Sequence, residues 1–85
     1  MDRLTEKRKD GYYVVSGEDT KQAIQRLGLY EDAYESLINS LEQIPKDLED
    51  MRQQGKEKTV RYKETLTQKL INNNIVMFFQ QHGVK

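Results

Sequence analysis

Residues 23–48 read AIQRLGLYEDAYESLINSLEQIPKDL, and their apolar side chains recur in steps of three and four. The series consists of Leu27, Tyr30, Tyr34, Leu37, Leu41, Ile44 and Leu48, and it is widened by Ala23, Ile24 and Ile38. This spacing places the side chains on one face of an α-helix, which we call the seam. Because packing of an apolar face supplies most helical stability in proteins, the rest of the chain or a second copy must cover the seam.

The size of the chain limits how much core it can build. At 85 residues it forms a single domain, 1–85, and a domain this small buries only a little over ~60% of the surface of its unfolded chain. Cysteine is absent, which excludes disulfides and thiolate metal sites. Since small folds often need an added source of stability, we expect a homodimer or a partner protein.

Charge and hydropathy narrow the class of protein. The 14 basic and 14 acidic side chains cancel, so no net field attracts nucleic acid or anionic lipid. Residues 1–10 are charged and lack the apolar run of a secretory signal. No run of ~18 apolar residues could span a membrane, and we therefore expect a cytoplasmic protein without a membrane partner.

The first fifteen residues allow two interpretations. Asp10-Gly11 is typical of a tight turn, and the aromatic and β-branched residues 12–15 favour a strand, so residues 3–15 predict a small β-hairpin. An isolated hairpin is marginal in water. The alternative is an arm, residues 1–15, that becomes ordered only on contact.

The remaining pattern predicts three helices. The first, 18–44, follows N-cap candidates in residues 16–20. The chain breaks or kinks at Pro45, which disfavours helical geometry in the residue before it. The second helix, 45–71, is either broken at Gly55 or continuous through it. Continuity is favoured because a row of residues keeps helical spacing across Gly55: Leu48, Met51, Gly55, Lys58, Tyr62, Leu66 and Leu70. Asn72–Asn74 then stop it, and a third helix, 74–82, closes at Gly83. The expected fold is mainly α: an antiparallel helical hairpin plus a short C-terminal helix.

Charges are segregated along the chain. An acidic run comprises Glu31, Asp32, Glu35, Glu42, Asp47, Glu49 and Asp50, against the single base Lys46. A basic run follows, with Arg52, Lys56, Lys58, Arg61, Lys63 and Lys69 against two glutamates. One interpretation is that two antiparallel helices choose their register through opposite charges. The others are a nucleic-acid interface using Lys56, Lys58, Arg61, Lys63 and Lys69, and an acidic decoy for the phosphate-binding channel of another protein.

The sequence contains no recognisable pattern of catalytic residues. His82, the only histidine, lies beside Gly83 at an expected helix end. A positive charge there interacts favourably with the negative end of the helix dipole. No catalytic triad and no glycine-rich phosphate loop occurs, so we expect neither an enzyme nor a cofactor or metal site. A small monomer does not readily cover the apolar surface of a short helix that carries Met77, Phe78 and Phe79, with Val84 after it. This surplus of apolar surface favours a dimer interface or a partner site.

Two short motifs carry a resemblance. Arg3-Leu4-Thr5-Glu6 and the segment from Arg26 to Asp32, RLGLYED, resemble small accessory proteins of phages and prophages of Gram-positive bacteria, although that pattern usually has alanine at positions 28 and 29. The resemblance implies a protein that binds and blocks a host protein. The leading hypothesis is a non-catalytic inhibitor of a host defence system, anti-CRISPR-like. The alternatives are a nucleic-acid-binding accessory protein and a self-assembling structural protein.

Overall fold

The computed structural model describes residues 1–84, which are mainly helical with a small antiparallel sheet. In chain order the elements are β1 (Thr5–Lys7), β2 (Tyr13–Val15), a 3₁₀ turn (Gly17–Asp19), α1 (Thr20–Gln53) and α2 (Val60–Gln81). The mainly α class and the N-terminal β-hairpin are confirmed. The chain divides into two compact units, Met1–Ala33 and the residues from Tyr34 onward, and each is described by itself.

The hairpin of the first unit is closed by the predicted Asp-Gly turn. Its register pairs Thr5 with Val15, Glu6 with Val14 and Lys7 with Tyr13. Gly11 adopts a φ of +91°, a conformation that residues with a Cβ rarely take. The Asp10 carboxylate accepts a hydrogen bond of 3.0 Å from the backbone N–H of Tyr12, which fixes the turn.

The helical part of the first unit departs from the prediction for the seam. Leu27 and Tyr30 are 59% and 56% exposed, although their spacing predicted that they would be covered. The strands are three residues long, and of their apolar side chains only Val15 is as much as half-buried. A sheet this small offers too little apolar surface to cover a helix face.

The second unit is the predicted antiparallel helical hairpin. Tyr34 on α1 packs edge-on against Phe79 on α2, with ring centroids 5.9 Å apart. Further along α1, Ser40 bonds to Asn72 at 2.8 Å and Arg52 bonds to Tyr62 at 2.8 Å. Because partners advance along α1 as they retreat along α2, the two helices run antiparallel.

The core of this unit is thin. Ile44, Leu48 and Tyr62 form the buried cluster, with Met51 packed against it, and Leu48 is the least exposed at 2%. Other seam residues, from Tyr34 to Leu41, are only half-buried. Full burial of a large apolar side chain contributes about 1.5–3 kcal/mol, so the few buried residues carry much of the stability.

The predicted break at Pro45 is wrong, because α1 continues through it to Gln53. An interior proline costs about 3 kcal/mol, mainly through a lost backbone hydrogen bond and a clash with the preceding turn. Here Pro45 is exposed, while Ile44 and Leu48 on either side of it are buried. Their packing against α2 offsets the local cost and holds the helix together.

The chain breaks at Gly55 instead, so the continuous helix across Gly55 that the helical phase favoured is wrong. Gly55 has a φ of +70°, and the N–H of Lys56 bonds back to the Met51 carbonyl at 2.8 Å, as at the glycine-terminated end of a helix. Thr59 then caps α2, its hydroxyl accepting from the N–H of Tyr62 at 3.2 Å. The second helix therefore begins at Val60 rather than at Pro45.

The packed face of α2 also differs from the predicted one. Its buried or half-buried members are Tyr62, Thr65, Lys69, Asn72, Val76 and Phe79, in steps of three and four. Leu66 and Leu70, predicted to pack, are 41% and 62% exposed. The phase set by Gly55 and Thr59 rotates α2 so that a row of three polar and three apolar or aromatic residues faces α1.

The three asparagines do not stop the helix, and the predicted third helix is the last part of α2. Asn72 is buried, donates to the Ser40 hydroxyl at 2.8 Å and accepts from the Gln68 amide at 2.6 Å. These contacts override the weak helix propensity of asparagine. The predicted close at Gly83 is confirmed, with a φ of +83° and the N–H of Val84 bonded to the Phe79 carbonyl at 2.9 Å.

Two glycine-to-alanine substitutions are expected to change stability in opposite directions. Gly28 lies inside α1, and a Cβ there would meet nothing within 4 Å, so Gly28→Ala should stabilise by roughly 0.5–1 kcal/mol. Gly55→Ala forces a positive φ on alanine and should destabilise by about 1 kcal/mol or more. Urea unfolding followed by circular dichroism measures both. Equal shifts of the same sign would contradict the assignment of Gly55 as the helix terminus.

Candidate functional site

The most regular chemical feature of the second unit is a row of carboxylates on α1. Glu35, Glu42 and Glu49 recur every seven residues, which places them on one side of the helix roughly 10 Å apart along its axis. We call them the glutamate row. All three are exposed, and among the described residues only Glu49 has a cationic partner, Arg52 at 3.3 Å. The row therefore presents largely uncompensated negative charge to solvent.

The other predicted acidic residues are exposed as well. Asp47 and Asp50 lie on α1 in the second unit, where the Asp47 carboxylate accepts from the Gln43 amide at 2.9 Å. Glu31 and Asp32 lie on the part of α1 that belongs to the first unit. The acidic run is thus solvent-facing throughout.

The five basic candidates for nucleic-acid binding lie in three parts of the second unit, although Lys56 and Arg61 line the same groove. Lys56 and Lys58 lie in the turn between the helices, and Arg61 and Lys63 lie in the first turn of α2. Lys69 belongs to the packed face of α2 and is half-buried. A strand of nucleic acid needs several cations that follow its backbone along one groove; of the five candidates, Lys56 and Arg61 line a common groove, which acids of α1 also line.

Opposite charges do not fix the pairing of the helices. In residues 1–84 the ion pairs are Arg8 with Asp10 and Glu49 with Arg52, and both are local in sequence. A groove of about 450 Å³ near the turn is lined by acids of α1, among them Asp50, and by Lys56 and Arg61, yet these residues form no ion pair. The hydrogen bonds described above for Asn72 and Tyr62 link the helices instead.

The pair formed by Arg52 and Tyr62 was not anticipated from the sequence. The Tyr62 hydroxyl accepts from Nε of Arg52, and this hydrogen bond raises the pKa of Arg52 above its ordinary value. The guanidinium stays charged at any ordinary pH and also contacts Glu49. Spacing alone gives no signal for such a contact, because it depends on where the turn places α2.

Large apolar side chains remain exposed on both flanks of α2. Six large side chains of α2 are each between 39% and 62% exposed: Leu66, Leu70, Ile71, Ile75, Met77 and Phe78. At about 100° per residue, Leu66, Leu70 and Met77 lie on one flank and Ile71, Ile75 and Phe78 on the other, and we call the two flanks together the outer face. The sequence pointed to Met77 and Phe78 as surplus apolar residues. It also pointed to Phe79, which is half-buried against Tyr34, and to Val84, which is 43% exposed.

The single histidine occupies the predicted helix end. Nδ1 of His82 lies 2.9 Å from the carbonyl oxygen of Phe78, and the two rings lie 4.6 Å apart. Across residues 1–84, no cluster of three or more histidine, aspartate or glutamate side chains is arranged to hold a metal ion. Nor does that part of the chain contain a helix long and apolar enough to cross a membrane.

Comparison with known proteins does not assign the chain to a family. The chain matches no protein-family model, no curated protein and no solved structure. The resemblance in residues 3–6 and 26–32 therefore stays a prediction. Function has to be argued from the exposed carboxylates of α1 and the outer face of α2.

Proposed function

We propose that this protein is a non-catalytic accessory protein that acts by binding another protein, and that its partner is a nucleic-acid-handling effector of a host defence system such as a CRISPR nuclease. The observation that carries the proposal is the glutamate row, which is exposed and, apart from the contact of Glu49 with Arg52, has no ion-pair partner within the described residues. The sequence resemblance to phage accessory proteins supplies the cellular setting. The mode of action is inhibition by occupation of a cationic surface.

The chemistry of the row suits such a surface. A channel that holds nucleic acid presents lysine and arginine side chains to phosphates, and carboxylates at fixed positions can accept the same hydrogen bonds. The helix fixes the backbone positions of the row, so binding costs only the rotamer freedom of the glutamate side chains. Asp47 and Asp50, also exposed on α1, widen the negative surface.

Nucleic-acid binding by this protein is less well supported. The basic candidates are divided between the turn, the first turn of α2 and its packed face. The acids of α1 would also repel a phosphate backbone, and the net charge of the chain is zero. No observation favours this second function over the first.

The test is competition with DNA for a purified nuclease–guide complex. We expect the protein to reduce DNA binding by the complex, and to bind that complex less tightly as salt rises. The variant Glu35→Gln/Glu42→Gln/Glu49→Gln should weaken binding about tenfold or more, since exposed charge pairs contribute up to about 1 kcal/mol each. Titration calorimetry and DNA-cleavage assays measure the two effects.

A second triple variant controls for net charge. Glu18→Gln/Glu57→Gln/Glu64→Gln removes three exposed carboxylates outside the glutamate row and should bind as the unchanged protein does. Equal losses for both triple variants would show a non-specific charge effect and refute the role of the row. Tight, salt-sensitive binding of the protein to DNA alone would replace the proposal with the nucleic-acid alternative.

A further inference from the structure

The two compact units differ in how much of their surface they bury. In the first unit, Met1–Ala33, all of which the structure describes, no side chain is buried and only a few are half-buried. Every buried residue among residues 1–84 lies in the second unit. Apolar burial is the main term that offsets the conformational entropy lost on folding. The first unit therefore has the weaker source of stability.

The part of α1 that belongs to the first unit, residues 20–33, gains little from packing. Its large apolar side chains Ile24, Leu27 and Tyr30 are each more than half exposed, so unfolding this segment would uncover little additional apolar surface. Gly28 lies inside it, and a glycine in a helix interior loses more conformational freedom on folding than any other residue. A helix of this length is marginal in water without packing.

The beginning of α1 is held by few polar contacts. Ser16 precedes the 3₁₀ turn that leads into α1, and its side chain makes no capping hydrogen bond. Of the side-chain hydrogen bonds described in the first unit, one joins the first fifteen residues to α1: Nη1 of Arg26 donates to the carbonyl oxygen of Asp2 at 2.6 Å, in an exposed position. Neither ion pair of residues 1–84 involves residues 20–33. These contacts add little to the missing core.

We infer that the first unit is a conformational switch, which opens and closes as one body while the helical hairpin from Tyr34 onward stays folded. In the closed form α1 is continuous from Thr20 to Gln53, as in the structure. In the open form residues 20–33 are not helical and the β-hairpin is released from them. Because Ile24, Leu27 and Tyr30 lie on one side only when they are helical, opening dismantles an exposed apolar surface and closing restores it. The switch does not include the glutamate row, and the inference does not rest on the proposed function.

The test is hydrogen exchange of single backbone amides, followed by NMR at one fixed protein concentration. We expect the amides of residues 24–33 to share one protection factor, about a hundredfold or more below that of amides near Leu48, which exchange through global unfolding. Equal protection in the two parts of α1 overturns the inference. Protection that rises steadily from the first turn of the helix also overturns it, because that profile shows fraying of the helix end only.

Two glycine substitutions in the first unit should move this exchange in opposite directions. Gly28→Ala should slow the exchange of residues 24–33 about two- to fivefold, since alanine favours the helical form. Gly11→Ala forces a φ of +91° on alanine in the hairpin turn, and it should speed the exchange of the same helical amides about fivefold or more. If Gly11→Ala leaves residues 24–33 unchanged, the β-hairpin and the helical segment do not open together and the inference is wrong.

A matched substitution in the second unit is the control. Asn39 is exposed on α1, and Asn39→Ala should slow the exchange of amides near Leu48 about two- to threefold through helix propensity. Residues 24–33 should keep their rate, because they exchange while the second unit stays folded. An equal change in both parts of α1 would show that the chain opens in a single step, and the switch would be excluded. Gly28→Ala and Asn39→Ala both favour the helix, so the test does not depend on a destabilised variant.

Discussion

Replacing Leu48 by alanine is expected to destabilise the protein by about 2–5 kcal/mol. Leu48 is 2% exposed and lies at the centre of the cluster with Ile44 and Tyr62, so truncation leaves a cavity. A domain of this length has a total stability of about 4–13 kcal/mol. The melting temperature should therefore fall by on the order of 10–30 °C.

Thermal and urea unfolding at one fixed protein concentration measure this effect, since association would add to the apparent stability. Leu29→Ala is the matched control: the same residue type on the same helix, 60% exposed. It should change stability by less than about 0.5 kcal/mol. If the two variants unfold alike, the buried cluster does not support the fold.

Replacing Asn72 by alanine is expected to cost about 1–3 kcal/mol, because it leaves the Ser40 hydroxyl and the Gln68 amide without the partner that they have in the folded chain. The sequence itself supplies two controls. Asn73 and Asn74 are exposed neighbours on the same helix, and each alanine variant there should be neutral or stabilising by a few tenths of a kcal/mol.

The three variants are compared by urea unfolding under the same conditions. Three equal results would mean that the asparagines act only through helix propensity. Asn72→Ala should also lower the protection of backbone amides near Ser40 against hydrogen exchange, since the two helices lose a direct link. Unchanged protection there would contradict a role for Asn72 in pairing the helices.

The sequence determined the features that depend on short-range periodicity and local backbone geometry. The spacing from Tyr34 to Leu48 predicted a helix with one packed face, and that face is the one that meets α2. Asp10-Gly11 predicted the hairpin turn, and Gly83 predicted the helix end, because glycine readily adopts a positive φ. Each of these features depends on residues close together in sequence, so it can be predicted without knowledge of the tertiary structure.

Only the tertiary structure decided where the helices divide and which side of α2 faces inward. Pro45 and Asn72 read locally as breaks, yet packing of Ile44 and Leu48 and the hydrogen bond to Ser40 keep both helices continuous. The candidate surfaces follow from the same cause. The sequence identified the acids of α1, but the exposure of Leu66 and Leu70 depends on the phase in which α2 restarts after Gly55. Gly55 and Thr59 set where α2 restarts, and the contacts of Tyr62 and Asn72 with α1 select the side that faces inward, which periodicity within one segment does not encode.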